Sequence, residues 1–575
     1  MLNDRQKGLI EMNKHAIREK YEFTNIRHLV ERAVKKYENK TVYSYCADPH
    51  QGEITKVSFT QFGEDVRALA SELLAMGCSG KHCALVGKLS YEWILMYFAT
   101  QSIGAVLVPL DHEWTAEDLA DTIQKADVSF LFGDEDIEDK IEYVASQTKL
   151  GAEPIYLLAK NKEITLRNLL EKGRDKFEQD PDAYYNTPID PIKLSLLVFT
   201  SGTTGKGKGV MLSQNAILSD IYNALIYIDL SEKTVGVLPP HHTYGSTIMF
   251  IGHVMAGSEV YISSGMRYLM RELKEQKPGH LVLVPLYLET FYRRIVANLK
   301  EKGKYDTVCR MIKVSDALRK TGIDVRKKMF GAILAAFGGE LQMVITGGAP
   351  INNDVLHFFD SIGITILNGY GITECSPLIS VNRSKNVVLG SVGNPIDDVS
   401  VKIDEPNEDQ EGEILVKGPI VMLGYYKNEA ATADAFKEGY FRTGDYGKLD
   451  KNGVLYITGR KKNLIILSNG KNVYPEEIEN DLSSIPGVSE VIVYEGQSKR
   501  GLEHNAIVAE IFPNKDYMDN NGIDDIQSYF KHYIDEYNKR TVPYKKVGLV
   551  KLRTTEFPNN TLRKIQRFKL NTTID

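Results

Sequence analysis

LLVFTSGTTGKGKGV, residues 196–210, sets an apolar run directly before a stretch of hydroxyls, glycines and lysines. The run reads as a buried strand. The stretch after it reads as a loop that turns several backbone N–H groups toward one centre. Thr200, Ser201, Thr203 and Thr204 add hydroxyl donors, Gly202 and Gly205 add freedom to turn, and Lys206 and Lys208 add positive charge. A loop of this chemistry is built to hold polyphosphate. Residues 202–208 also satisfy GxxxxGK, the Walker A pattern, but that pattern continues with a Ser or Thr hydroxyl for magnesium, and here Gly209 follows. The motif itself therefore disfavours a P-loop NTPase.

The chain around the loop has the periodicity of an α/β protein. Phe62, Val66, Leu69 and Leu73 recur at helical spacing and predict an amphipathic helix over 60–77, with Thr60 as its cap and Gly77 at its exit. A strand at 83–86, a helix at 90–102 carrying Trp93, Met96 and Phe98, and a strand at 105–109 form a βαβ pattern. Further short strands at 128–132, 281–284, 343–345 and 364–367 imply α/β architecture with mainly parallel sheets. After about residue 459 the texture becomes strand, strand, helix, strand at 490–494, 506–511, 525–539 and 547–552. The expectation is a large N-terminal domain over 1–459, of mixed and parallel sheets with helices, and a small mobile α+β domain over 460–575.

At 575 residues the chain is far larger than a single binding module. Its 70 basic and 76 acidic residues leave a net charge of −6, which argues against a chain that coats nucleic acid. Five scattered cysteines make neither a disulfide framework nor a zinc site, so a reducing, cytoplasmic setting is expected. Charge interrupts every apolar stretch in residues 1–23, and no apolar run approaches the roughly 18 residues of a spanning helix. Residues 300–328 carry ten Lys or Arg against four Asp or Glu. That stretch reads as solvated helix faces, or as a patch for peripheral contact with a membrane or an anionic ligand.

The 196–210 segment resembles, nearly letter for letter, the TSGTTGxPKG signature of the adenylate-forming superfamily, with Gly207 where that family has proline. Further motifs follow in the family's order. LPPHHTYG at 238–245 resembles the LPxxHxxG segment, which gives His242 a gating role at the acyl pocket. TGGAP at 346–350 resembles the adenine-side strand end and assigns Gly347, Gly348 and Ala349 to the base. NGYGITE at 368–374 resembles YGxTE: the resemblance puts Asn368, Gly369, Tyr370 and Gly371 around adenine, Thr373 on the α-phosphate and Glu374 on Mg²⁺. In YFRTGD the aspartate, Asp445, would hold the ribose hydroxyls. TGRKKN at 458–463 places Arg460 on the ribose or phosphate side and Lys462 at the hinge. Ser468, Asn469, Gly470 and Lys471 correspond to the loop that swings in for thioester formation. FPNNTLRKIQR at 557–567 resembles PxTxxGKIxR and puts the catalytic lysine at Lys564, with Arg563 in place of glycine.

The resemblance implies an acid–thiol ligase: ATP and a carboxylic acid give acyl-AMP and pyrophosphate, and coenzyme A then displaces AMP. GIDVRKKMFG at 322–331 and FGGEL at 337–341 look most like the long-chain fatty acid–CoA ligase branch. Loading of a carrier-protein phosphopantetheine shares every motif and stays open. A nucleotide-binding NTPase without ligase activity is the alternative of another class. The implied partners are a fatty acid, ATP and CoA, with Mg²⁺ as the metal and no nucleic acid.

Overall fold

The computed structural model describes residues 16–17, 20–49, 52–157, 165–200, 207–467, 472–497, 506–558 and 565–574. Its largest sheet has seven strands, in the order Gly424–Tyr425, Lys208–Ser213, Leu194–Thr200, Val106–Leu110, His82–Val86, Val128–Gly133 and Ile155–Tyr156. Only Lys208–Ser213 runs against its neighbours. The expected βαβ unit is present: the helix Tyr91–Gln101 links the parallel strands His82–Val86 and Val106–Leu110. That helix is apolar nearly all round, so it lies inside the main core with Trp93, Met96 and Phe98 fully buried. The helix Phe59–Ala75 buries the predicted Phe62, Val66, Leu69 and Leu73, but its cap is Ser58, whose hydroxyl accepts from the Gln61 amide, rather than Thr60.

A second sheet of five strands carries the motif-bearing segments. His280–Leu283, Met343–Thr346 and Thr365–Gly371 are parallel, and Leu378–Val381 and Asn394–Pro395 complete it antiparallel. The expected strand at 364–367 thus extends to residue 371, because Gly369 to Gly371 pair with the strand Leu378–Val381. A four-stranded sheet joins Ile54–Ser58, Thr41–Cys46, Glu259–Ile262 and Lys233–Gly236. The strands Ser400–Asp404, Gly412–Lys417, Tyr440–Leu449, Phe436–Lys437 and Leu455–Arg460 form a wholly antiparallel sheet. The strands named for the parallel reading do pair parallel, and this sheet supplies the antiparallel share of the expected mixed architecture. Short connections suffice between antiparallel neighbours, whereas parallel strands need a crossover of a dozen or more residues.

Beyond residue 460 the strands Val488–Gly496 and Ala506–Pro513 pair antiparallel, and Leu549–Leu552 pairs parallel with the second. The last strand starts two residues later than predicted, because the Val547 amide donates to the Asn538 side chain instead of a ladder. These strands and the helix Ile526–Arg540 share a hydrophobic cluster of their own, running from Ile465 to Val547. No helix among the described residues is long and apolar enough to cross a membrane.

Candidate active site

The phosphate-side loop connects two antiparallel strands, Leu194–Thr200 and Lys208–Ser213, with Thr200 opposite Lys208. A P-loop leads from strand to helix, so this geometry excludes the Walker A alternative. Ser201, Gly202, Thr203, Thr204, Gly205 and Lys206 lie outside the described residues. Gly207 passes so near the first strand that a Cβ there would stand 2.6 Å from the Thr200 carbonyl oxygen. The departure from the family's proline therefore matches this chain's own backbone path.

Lys208, at the loop's exit, is exposed and sets its ammonium 4.5 Å from the centre of the Tyr425 ring. The Tyr425 hydroxyl donates to Glu374 Oε1 at 2.9 Å. Glu374 sits with Thr373 in a single 3-10 turn, Thr373–Cys375, and its carbonyl accepts from the Met422 amide at 2.8 Å. Loop exit, tyrosine and carboxylate thus form one connected edge. Tyr425 has no sequence signal: in the aromatic doublet at 425–426 it reads as core.

Three predicted residues come within hydrogen-bond reach of one another. The Tyr370 hydroxyl donates to Asp445 Oδ2 at 2.7 Å, and Arg460 Nε lies 3.2 Å from Asp445 Oδ1. Pairing of Asp445 with Arg460 across the strands Tyr440–Leu449 and Leu455–Arg460 fixes this contact. Burial, with the Asp445 charge adding to it, pushes the Tyr370 phenol well above its usual value. Asp445 beside it holds the Arg460 guanidinium further toward its charged form. Beside them the parallel register of Thr346 with Asn368 brings the two glycine-bearing motifs side by side. Gly347 lies against Gly369, where a Cβ would come 2.9 Å from the carbonyl oxygen. Gly348 and Ala349 continue from that strand end, and Asn368 Nδ2 donates to the Ser391 carbonyl at 3.1 Å.

An apolar cavity opens from this shelf. Its rim is Thr346, Gly347, Gly348, Gly369, Tyr370 and Gly371, and its depth is walled by Ile221, Ala224, Leu225, Ile228 and Ile248. Thr346 Oγ1 is buried at that rim without a hydrogen-bond partner among the described residues. Tyr244 opens a π-helical stretch, Tyr244–Ile251, and donates to the Leu283 carbonyl at 3.1 Å. His253 lines the cavity with Nε2 2.8 Å from His280 Nε2, and burial pushes its imidazole down to about 4. The wall is therefore uncharged at neutral pH.

The predicted His242 is half-buried next to this cavity's π-helix, its ring 4.2 Å from that of His241, but it is not among the lining residues. It is His241 whose Nε2 stands 3.5 Å from Asp111 Oδ2. Burial pushes His241 down to about 4, against the pull of Asp111.

Lys462 is exposed in the 3-10 turn Lys461–Asn463. Next to it, Asn463 Nδ2 donates to Glu476 Oε1 at 2.5 Å. Ser468, Asn469, Gly470 and Lys471 lie outside the described residues, between the paired strands Ile465–Ile466 and Asn472–Val473. Lys564 lies outside them too, but both ends of its segment are held: the Gln566 amide donates to the Pro558 carbonyl at 2.7 Å, and Arg567 pairs with Glu479. Burial pushes Glu479 up to about 7 despite that guanidinium. No cluster of three or more metal-ligating side chains occurs among the described residues.

Comparison with known proteins places this geometry among relatives. Residues 30–426 match the family described as AMP-binding enzyme. The long-chain-fatty-acid–CoA ligase FadD15 of Mycobacterium bovis is 30% identical over 465 residues, covering 77% of this chain and 76% of that one. The chloroplastic long-chain-fatty-acid–[acyl-carrier-protein] ligase AEE15 of Arabidopsis thaliana is 28% identical over 82% of this chain and 74% of its own length. The ATP-bound crystal structure of MatB from Rhodopseudomonas palustris superimposes with a TM-score of 0.72 at 23% identity, over 94% of this chain and 97% of that one. That last likeness is one of fold.

Proposed function

Because the chain belongs to the AMP-binding enzyme family, we propose that it activates a medium- or long-chain fatty acid with ATP, through acyl-AMP, and passes the acyl group to coenzyme A. The observation that carries this reading is the apolar cavity whose rim is the nucleoside shelf itself. An aliphatic chain lying there brings its carboxylate to the glycine-bearing strand ends.

The substrate carboxylate is already ionised at pH 7, so the first step needs no protein nucleophile. Its oxygen attacks the α-phosphorus, the bond to the bridging oxygen of pyrophosphate breaks, and acyl-AMP remains. What the protein supplies is in-line placement and relief of anion repulsion. Tyr370 offers its ring to the base, Asp445 and Arg460 hold the ribose, and Thr373 with the 200–208 loop holds the phosphates. Lys564 neutralises the charge developing at the α-phosphate. Glu374 fits a Mg²⁺ ligand, since such an ion takes one or two carboxylates plus substrate phosphates and Tyr425 takes up only one of its oxygens. When bound, that ion neutralises triphosphate charge.

In the second step the thiol attacks the acyl carbon and AMP leaves. Residues 460–575 form the unit that turns about Lys462, exchanging Lys564 for the 468–471 loop at the reacting carbon.

The test is pyrophosphate release across saturated fatty acids of graded length, with aryl and amino acids in parallel and either CoA or holo-carrier protein as acceptor. Release that depends on an aliphatic acid, followed by acyl-CoA formation, is expected. Turnover without any acid, or a preference for aryl or amino acids, overturns the reading. Thioester formation on carrier protein alone moves it to the acyl-carrier branch.

A further inference from the structure

Next to the acyl cavity lies a second one, lined by Tyr21, Phe23, Leu29, Tyr222 and Ile226, with Arg32 and Lys36 also in its wall. The two cavities sit on opposite sides of the C-terminal end of the helix Gln214–Leu225 and of the short helix Gly252–Ala256. Ala224 and His253 face the first, and Tyr222 and Val254 face the second. Among the described residues, Leu225 alone lines both.

The partition is not equally firm throughout. His253 is fixed by His280, whose Nδ1 lies in turn 2.7 Å from Ser231 Oγ. Leu225 has no polar atom in its side chain to hold it, and it lies on the last turn of its helix, next to the C-cap Ile226. Leu225 is a buried member of the main core, yet it borders both cavities, so a change of rotamer can carry its side chain toward either.

We propose that Leu225 sets the acyl chain length the enzyme accepts. Shorter acids end in the first cavity, and longer ones turn the Leu225 side chain aside and carry their methyl end into the second. This rests on the fatty-acid reading above and adds to it a named length determinant. Burial of a further methylene discriminates by about tenfold or more, so one side chain at the partition is enough to set a cut-off.

The experiment compares wild type, Leu225→Ala and Leu225→Phe by kcat/KM for even-numbered saturated acids from octanoate to octadecanoate. The readout is the ratio of octadecanoate to decanoate within each preparation, which an inactive fraction leaves unchanged. Leu225→Ala is expected to raise that ratio about tenfold, and Leu225→Phe to lower it by a similar factor. Ratios within about twofold of wild type in the soluble variants, or a shift in the same direction for both, overturn the proposal. A wild type that uses no aliphatic acid at all is a separate result: it removes the fatty-acid reading, and the length determinant with it.

Discussion

Tyr425 takes the Lys208 ammonium on its ring face and gives its hydroxyl to Glu374, so it couples the exit of the phosphate-side loop to the candidate metal ligand. Tyr425→Phe keeps the ring and loses only the donor. The Mg²⁺ concentration for half-maximal pyrophosphate release is expected to rise about tenfold, the size typical of removing a partner of a metal ligand. An unchanged Mg²⁺ dependence counts against the coupling. His241 makes a different point, about charge. Its folded-state value of about 4 lies below the 6.5 or so of an unfolded histidine, so between these limits only the unfolded chain takes up the proton. Wild-type stability should therefore fall, relative to His241→Asn, by up to about 1.4 kcal/mol per pH unit as pH drops from 6.5 toward 4. Denaturant midpoints of the two proteins across that range check it, and a constant gap refutes it. Residues inside motifs, such as Tyr370, Asp445 and Arg460, were picked out by the family resemblance of those motifs; Tyr425 and His241 were not, because their partners are fixed only by tertiary contact.

At the level of elements, the βαβ unit and the C-terminal helix read directly from their periodicity, whereas the antiparallel sheet between Ser400 and Arg460 did not. Its strand Ser400–Asp404 alternates between exposed and partly buried residues, and no helix-length segment flags a crossover. The C-terminal segment carrying Lys564 offers the sharpest element-scale test. Arg567 pairs with Glu479 on the helix Pro475–Ser483 and donates to the Val493 carbonyl at 2.7 Å, which anchors the segment just beyond its lysine. Arg567→Ala removes this anchor, and Glu479, already raised to about 7, takes up a proton near neutral pH in place of the lost cation. The substitution should also slow acyl-AMP formation while sparing thioester formation from supplied acyl-AMP. Equal loss in both half-reactions would show that Arg567 does not act through the Lys564 segment.

Across the whole molecule, the order of the motifs was legible before the structure, but the cavities were not, since their walls come from segments remote in sequence. The two parts of the chain touch at several places: Asn352 Nδ2 donates to the Asn480 carbonyl at 3.2 Å, Lys461 Nζ donates to Glu413 Oε2 at 2.7 Å, and the Tyr446 and Tyr474 rings lie 6.0 Å apart. For the pivot proposed at the 3-10 turn Lys461–Asn463, Lys462→Pro is expected to slow the thioester step several-fold more than pyrophosphate release, because proline fixes φ. Separate assays of the two half-reactions check this, and an unimpaired thioester step rules the pivot out. The strand-to-strand setting of the phosphate-side loop carries one more consequence. A triphosphate approaching a molecule of net charge −6 is repelled overall. Without a following helix, the loop has no helix macrodipole to draw that anion in. Capture falls instead to lysine charge at an exposed edge, where the Debye length of about 8 Å at physiological ionic strength governs its reach. Added salt should then raise the KM for ATP well before it touches the KM for the proposed fatty acid, whose cavity lining carries no Asp, Glu, Lys or Arg.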